Sequence, residues 1–210
     1  MALASLRADP AYDVVGLVTT VTVDHDRVAM HGVRRAVLAK QAGALRLPFI
    51  EARLTWPSHN DAYEVAFTAA LAAARDRWPA LAHVAFGDLF LSDVRAYRDA
   101  QLERIGGWQG IYPLWGHDTA ALGRRFIAEG HRAALCCVDT TQLGAAFCGR
   151  DYDAALLDAL PPGIDSCGEN GEFHTLSYGG PLFEHDLRVV RGESVLRDDR
   201  FQYTDFLLDE

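Results

Sequence analysis

The chain has 210 residues, half of them hydrophobic, enough to bury a sizeable core as one large domain or one domain with a small appendage, so a disordered chain is excluded. Its 29 acidic residues outnumber the 20 basic ones, and no long Lys/Arg run interrupts the formal charge of -9, so the electrostatic footprint of a nucleic-acid binder is missing. The start, MALASLRADPAYD, carries no basic region followed by an apolar one, and no stretch approaches bilayer-spanning length, so neither export nor a membrane partner is expected.

Elements follow in order. VVGLVTTVTV, Val14 to Val23, is short, apolar and β-branched, the pattern of a buried parallel strand. MHGVRRAVLAKQAGALRL repeats apolar residues at helical spacing. LPFIEARL then predicts a strand, and Asn60 to Arg77, opened by a polar cluster, an Ala-rich helix. LAHVAFGD gives a third strand ending in Gly87-Asp88. LSDVRAYRDAQLERIG is a helix stopped by Gly106-Gly107, followed by the strand GIYPLW. A helix around Asp118 to Glu129 and the apolar run HRAALCCVD complete the alternation. That rhythm argues for a mostly parallel sheet with helices on both faces over residues 1–140, with ligands at the carboxyl ends of its strands.

From Thr140 the rhythm changes. A short helix near Asp153 to Leu160, the stop Pro161-Pro162-Gly163, a Gly-rich loop and the strand-like pieces FHTLSY, LRVVRG and FQYTDFLL predict a smaller α+β lobe over 141–210. Cys136, Cys137, Cys148 and Cys167 form neither a CxxC pair nor a zinc spacing, and read as reduced thiols of a cytoplasmic protein.

The run CGENGEFHTLSYGGPLF places Glu169, Glu172 and His174 within six positions, with Gly168 and Gly171 giving the backbone room to turn. Gly and Glu are common in surface turns, but two carboxylates and an imidazole beside an apolar anchor are also the makings of acid–base chemistry. In MHGVR, His31 and Arg34 open the helix after the first strand. There they are either an exposed first turn or, with its free N–H groups, a phosphate or carboxylate contact. Asp88, following Gly87 at a strand's carboxyl end, is placed to hold Mg²⁺ or a polar ligand group. Asp93, Arg95 and Arg98 follow in the next helix and serve equally well as dipole partners and surface ion pairs.

Taken in order, TTV, MHGVR, FGDLFLSDVRAYR, PLWGHDT and GENGEFHT...GPLF resemble the diphthine-ammonia ligase family and its bacterial relatives, within the PP-loop ATP pyrophosphatases. The resemblance implies a Rossmann-like nucleotide-binding domain over 1–140, of the adenine nucleotide alpha-hydrolase type, with the smaller C-terminal lobe, 141–210, binding the substrate. It also implies an ATP- and Mg²⁺-dependent ligase that joins ammonia to a carboxylate on a small molecule or protein, releasing AMP and pyrophosphate. On that basis Thr19 and Thr20 lie near adenosine, and His31, Gly32, Arg34 and Gly87 near the nucleotide. Asp88, Glu169, Glu172 and His174 surround the reacting carboxyl and the ammonia, and the metal ligands are left unassigned.

Two departures stand out. The family usually carries Asp where this chain has Gly179. It also begins with an apolar strand and an SGGKDS loop that this sequence lacks, so activity is expected to be impaired as the sequence stands. The competing expectations are a nucleotide-binding or regulatory module without turnover, and a metal-assisted hydrolase built on Glu169, Glu172 and His174. A homo-oligomer is left open.

Overall fold

The computed structural model describes residues 1–209. A first helix α1 (Ala2–Ala8) leads into β1 (Leu17–Thr22), the two-residue strand β2 (Arg27–Val28), α2 (Arg35–Ala44), β3 (Phe49–Leu54), α3 (Asn60–Arg77), β4 (His83–Ala85), α4 (Ser92–Ile105), β5 (Gln109–Ile111) and α5 (Thr119–Ala128). The C-terminal part contains β6 (Arg132–Asp139), α6 (Ala154–Ala159), β7 (Phe173–Gly179), β8 (Val189–Arg197) and β9 (Phe201–Leu208). Among the described residues, no helix is long and apolar enough to cross a membrane.

The strands and helices alternate as the apolar periodicity requires, but they do not build one mostly parallel sheet. β1 pairs parallel with β3 and antiparallel with β2, giving the order β2-β1-β3. β4 and β5 form a separate parallel pair. The largest sheet is antiparallel throughout, in the order β7-β6-β9-β8. The Rossmann-like expectation is therefore corrected to a mixed α/β fold with three small sheets. β6, expected as the last parallel strand, lies at the centre of the antiparallel sheet, which the 140/141 division would cut. Its apolar run reports burial on both faces, and burial says nothing of the direction in which neighbours run.

Both faces of strand β6 in that sheet are covered. On one, Ala134, Cys136, Leu176 and Phe206 pack against Val33, Val37 and Ala44 from the α2 region. On the other, Ala133, Leu135, Val138 and Phe173 pack against Tyr152 and Leu156, with Phe126 of α5 alongside. Leu135 is wholly buried, so truncation to Ala would cost about 3 kcal/mol through lost transfer energy and a cavity. α3 buries Phe67, Ala70, Leu71 and Ala74, a single face at helical spacing. Phe67, Leu71 and Ala74 of that face belong to the cluster that joins Val18 and Ile50 of one parallel sheet to Val84 of the other. Asp118 and Asp153 cap α5 and α6 by accepting from Ala121 N and Leu156 N, each at 2.7 Å.

Candidate functional site

The loops after β4 and β5 meet the 165–172 loop. Glu169 Oε1 accepts from Leu89 N at 2.7 Å, and Leu89 O accepts from Gly116 N at 2.8 Å. Leu89, Leu114 and Leu122 form the apolar floor, with Cys167 packed on it. Beside Leu89, the Asp88 carboxylate sits against Arg98, whose Nη2 donates to Oδ1 at 3.2 Å. Arg98 Nε lies 2.8 Å from Oδ2 as an ion pair, but out of hydrogen-bond alignment, so both buried atoms keep an unused valence. Burial raises the Glu169 carboxyl above its ordinary range; the Asp88 and Asp165 carboxylates add to this, and the Leu89 and Phe90 N–H groups counter it.

The 165–172 loop is wound around Asp165. Its Oδ1 accepts from Cys167 N at 2.8 Å and Glu169 N at 3.1 Å, an Asx-type turn. Asp165 N in turn donates to Glu172 Oε1 at 2.9 Å, and Asn170 Nδ2 donates to the same oxygen at 3.1 Å. Glu172 is 1 % exposed, and its Oε2 has no hydrogen-bond partner among the described residues. A buried carboxylate oxygen left unpartnered carries a desolvation cost of about 1–3 kcal/mol, which a ligand donor would recover. Gly168 and Gly171 both adopt positive φ here, at 71° and 82°, as the turn requires.

Two residues further on, His174 lies opposite Cys137 in the β6–β7 ladder and stacks on His31, with centroids 4.6 Å apart. Burial, and then the neighbouring His31, push the His174 imidazole down to about 4. His31 is also lowered, chiefly by burial, and its Nδ1 lies 3.2 Å from Ala29 O. With Nδ1–H donating to that carbonyl, Nε2 is left as a lone-pair acceptor.

His31 and Arg34 precede α2 rather than opening it, because α2 begins at Arg35. Arg34 Nε donates to Asp205 Oδ2 at 2.9 Å, and Arg27 Nη1 donates to Oδ1 at 2.8 Å. Burial raises the Asp205 carboxyl, but the two guanidinium groups outweigh it and hold it below its ordinary range. Gly32 has φ 68°, and a Cβ there would lie 2.6 Å from Cδ1 of Tyr203. The segment 27–34 is thus fastened to the C-terminal sheet.

The predicted site residues therefore fall into two groups, Asp88 with Glu169 and His31 with His174, and Glu172 lies on the segment between them. Thr19 and Thr20 are half-buried on β1, opposite Glu51 and Ala52 of β3. Gly87 has open space around it. Asp165, Asp205, Arg27 and Tyr203 were not anticipated. A charged residue midway along the apolar FQYTDFLL was the available signal for Asp205. At Gly179, where the resemblance implies Asp, the carboxylate of Asp186 already fills the space of a side chain, accepting from Gly180 N at 2.9 Å and Arg132 Nη1 at 2.7 Å.

Among the described residues no group of three His, Cys, Asp or Glu side chains could hold a metal ion. Mg²⁺ needs only one or two carboxylates when phosphates and water supply its remaining ligands; the carboxylates that these loops bring together are Asp88, ion-paired to Arg98, and Glu169, whose Oε1 accepts from Leu89 N. Recesses of about 470 Å³, lined by Arg132, Tyr178 and Arg191, and about 760 Å³, lined by His83, Glu103 and Trp108, open elsewhere. Neither is lined by a predicted site residue, so buried polar chemistry rather than cavity shape marks this site.

Residues 118–204 match the family model of the diphthamide synthase C-terminal domain. The match runs from the α5 cap into β9 and includes Asp165, Glu169, Glu172 and His174. No curated protein matches the chain.

Proposed function

We propose that this protein is an ATP-dependent amide-forming ligase that joins ammonia to a carboxylate borne by a protein or small molecule. The reading is carried by the unpartnered, buried Oε2 of Glu172 inside the stretch that matches the diphthamide synthase C-terminal domain. Bound ATP would supply the adenylyl group that converts a carboxylate oxygen into a good leaving group.

The chain's own residues supply positioning and proton handling. Glu172 Oε2 is an acceptor with nothing to accept, suited to orienting an ammonium ion or the N–H of an incoming amine. The His174 imidazole stays neutral down to about pH 4, so it would offer a lone pair to an N–H of the incoming ammonia rather than serve as a strong base for its proton. Asp88, released from its Arg98 ion pair, and Glu169 would be the carboxylates for Mg²⁺, and Thr19, Thr20 and Gly87 would lie along the nucleotide. The test is release of AMP and pyrophosphate with ammonium and candidate carboxylates. Release without dependence on ammonium, or none at all, would sink the reading.

A second reading, nucleotide binding without turnover, is favoured by one observation: Arg34 is committed to Asp205 rather than free for a phosphate. Saturable ATP binding with no AMP release would support it.

A further inference from the structure

One arginine at the carboxyl end of the β4–β5 pair is held differently from its neighbours. Arg27, Arg34 and Arg98 all spend their guanidinium groups on Asp205 or Asp88. Arg95, one turn before Arg98 on α4, has only a loose ion pair with Asp99, one turn on. Its Cζ lies 4.5 Å from the Tyr112 ring centroid and 4.6 Å from that of Trp115, two rings set at 69° to each other. The nearest carboxylate oxygen, Asp99 Oδ2, is 3.8 Å from Nε, beyond hydrogen-bond reach, while Asp99 Oδ1 is occupied by the Tyr112 hydroxyl at 2.7 Å. Burial and then Asp99 raise the Tyr112 phenol well above its ordinary range, so the ring stays neutral. The Arg95 side chain is 39 % exposed and, among the described residues, makes no hydrogen bond of its own.

Contact with two rings holds a guanidinium in place and lessens the rotamer freedom that a surface arginine normally loses when it binds, while its N–H groups stay available to an acceptor. A fork fixed in this way is matched to a two-oxygen acceptor. Its surroundings place it beside the candidate site: Tyr112 stacks on Phe86 at 5.6 Å, just before Gly87-Asp88, and Gly116 N donates to Leu89 O.

We infer that Arg95, clamped by Tyr112 and Trp115, is a preorganised receptor for an oxyanion, the carboxylate or phosphate group of the ligand that this site takes. Trp115 makes occupancy observable, because an anion on the guanidinium alters the charge against its indole. The protein is titrated with sodium pyrophosphate, inorganic phosphate and acetate at constant ionic strength, with tryptophan emission and calorimetry as readouts. Chloride is the control, and Trp115→Phe identifies the reporter.

Saturable binding of at least one of the three is expected. The affinity should fall tenfold or more in Arg95→Gln and about tenfold in Arg95→Lys, which keeps the charge and loses the fork. Binding of the phosphates alone assigns the oxyanion to a phosphate, and binding of acetate alone assigns it to a carboxylate. If Arg95→Gln fails to fold by circular dichroism, Arg95→Lys carries the comparison. No saturable binding of any of the three, or undiminished binding in the folded variants, overturns the assignment. Oxyanion binding requires no turnover, so a protein that binds pyrophosphate through Arg95 and releases no AMP counts against the ligase reading alone.

Discussion

The imidazole of His31, from the segment before α2, lies on that of His174, from β7, with centroids 4.6 Å apart and planes tilted by 36°. The two rings join the N-terminal region to the C-terminal sheet, and both are harder to protonate than a free histidine. The sign follows. Below the ordinary histidine value of about 6.5 the unfolded chain takes up protons that the folded chain refuses, until the pH reaches about 4. Stability is thus complete above about pH 6.5 and lost progressively below it. His174 alone should lose about 2 kcal/mol between pH 7.5 and pH 5. Thermal melts across that range, with His174→Gln as comparison, check this, and an equally steep fall in the variant would refute it.

Glu172→Gln separates function from fold. The Oε1 acceptor for Asp165 N is retained in the amide, so melting temperature should hold or rise slightly. AMP release should fall by about a hundredfold or more if the carboxylate orients or deprotonates the nucleophile. A variant with full activity removes Glu172 from the chemistry.

Asp205→Asn should loosen the segment 27–34. Asp205 partners both Arg27 and Arg34, and its side chain is 16 % exposed. About 1–2 kcal/mol of stability should be lost in urea, allowing for the partial exposure of both arginines. Faster amide exchange should be confined to the strand β2 and the turn that follows it.

Gly32→Ala meets two penalties, a φ of 68° and the ring of Tyr203. A loss of about 2–3 kcal/mol is expected. Tyr203→Leu in the same chain should restore part of it, and absence of any rescue would show that backbone strain alone is responsible.

At Gly179 a new side chain collides with the Asp186 carboxylate. Gly179→Asp alone should therefore destabilise the protein, through overpacking and carboxylate repulsion, by about 2 kcal/mol. Gly179→Asp with Asp186→Gly should regain most of that loss, because one carboxylate again faces Arg132. A double-mutant cycle by denaturant melts tests this coupling, and additive losses would reject it.

Local chemistry was legible wherever it was the deciding force. Asn60–Arg77 could be read as a helix from its polar start and Ala-rich run, helices could be read around Asp118 to Glu129 and near Asp153 to Leu160, and the turn at Glu169–Glu172 from its glycines. Those features depend on neighbours a few residues away, so the sequence alone determined them. Strand direction, and which charge meets which, depend on partners far apart in the chain. β6 is apolar because both faces are covered, and only pairing with β7 and β9 made its sheet antiparallel. Arg34 read as a free helix-start cation until the fold brought Asp205, 171 residues away, against it. Arg95 read as an ordinary helix cation until the fold brought the rings of Tyr112 and Trp115 against its guanidinium. Tertiary structure decides such matters because an ion pair or a stacked ring takes its energy from distance and burial, which sequence spacing does not encode.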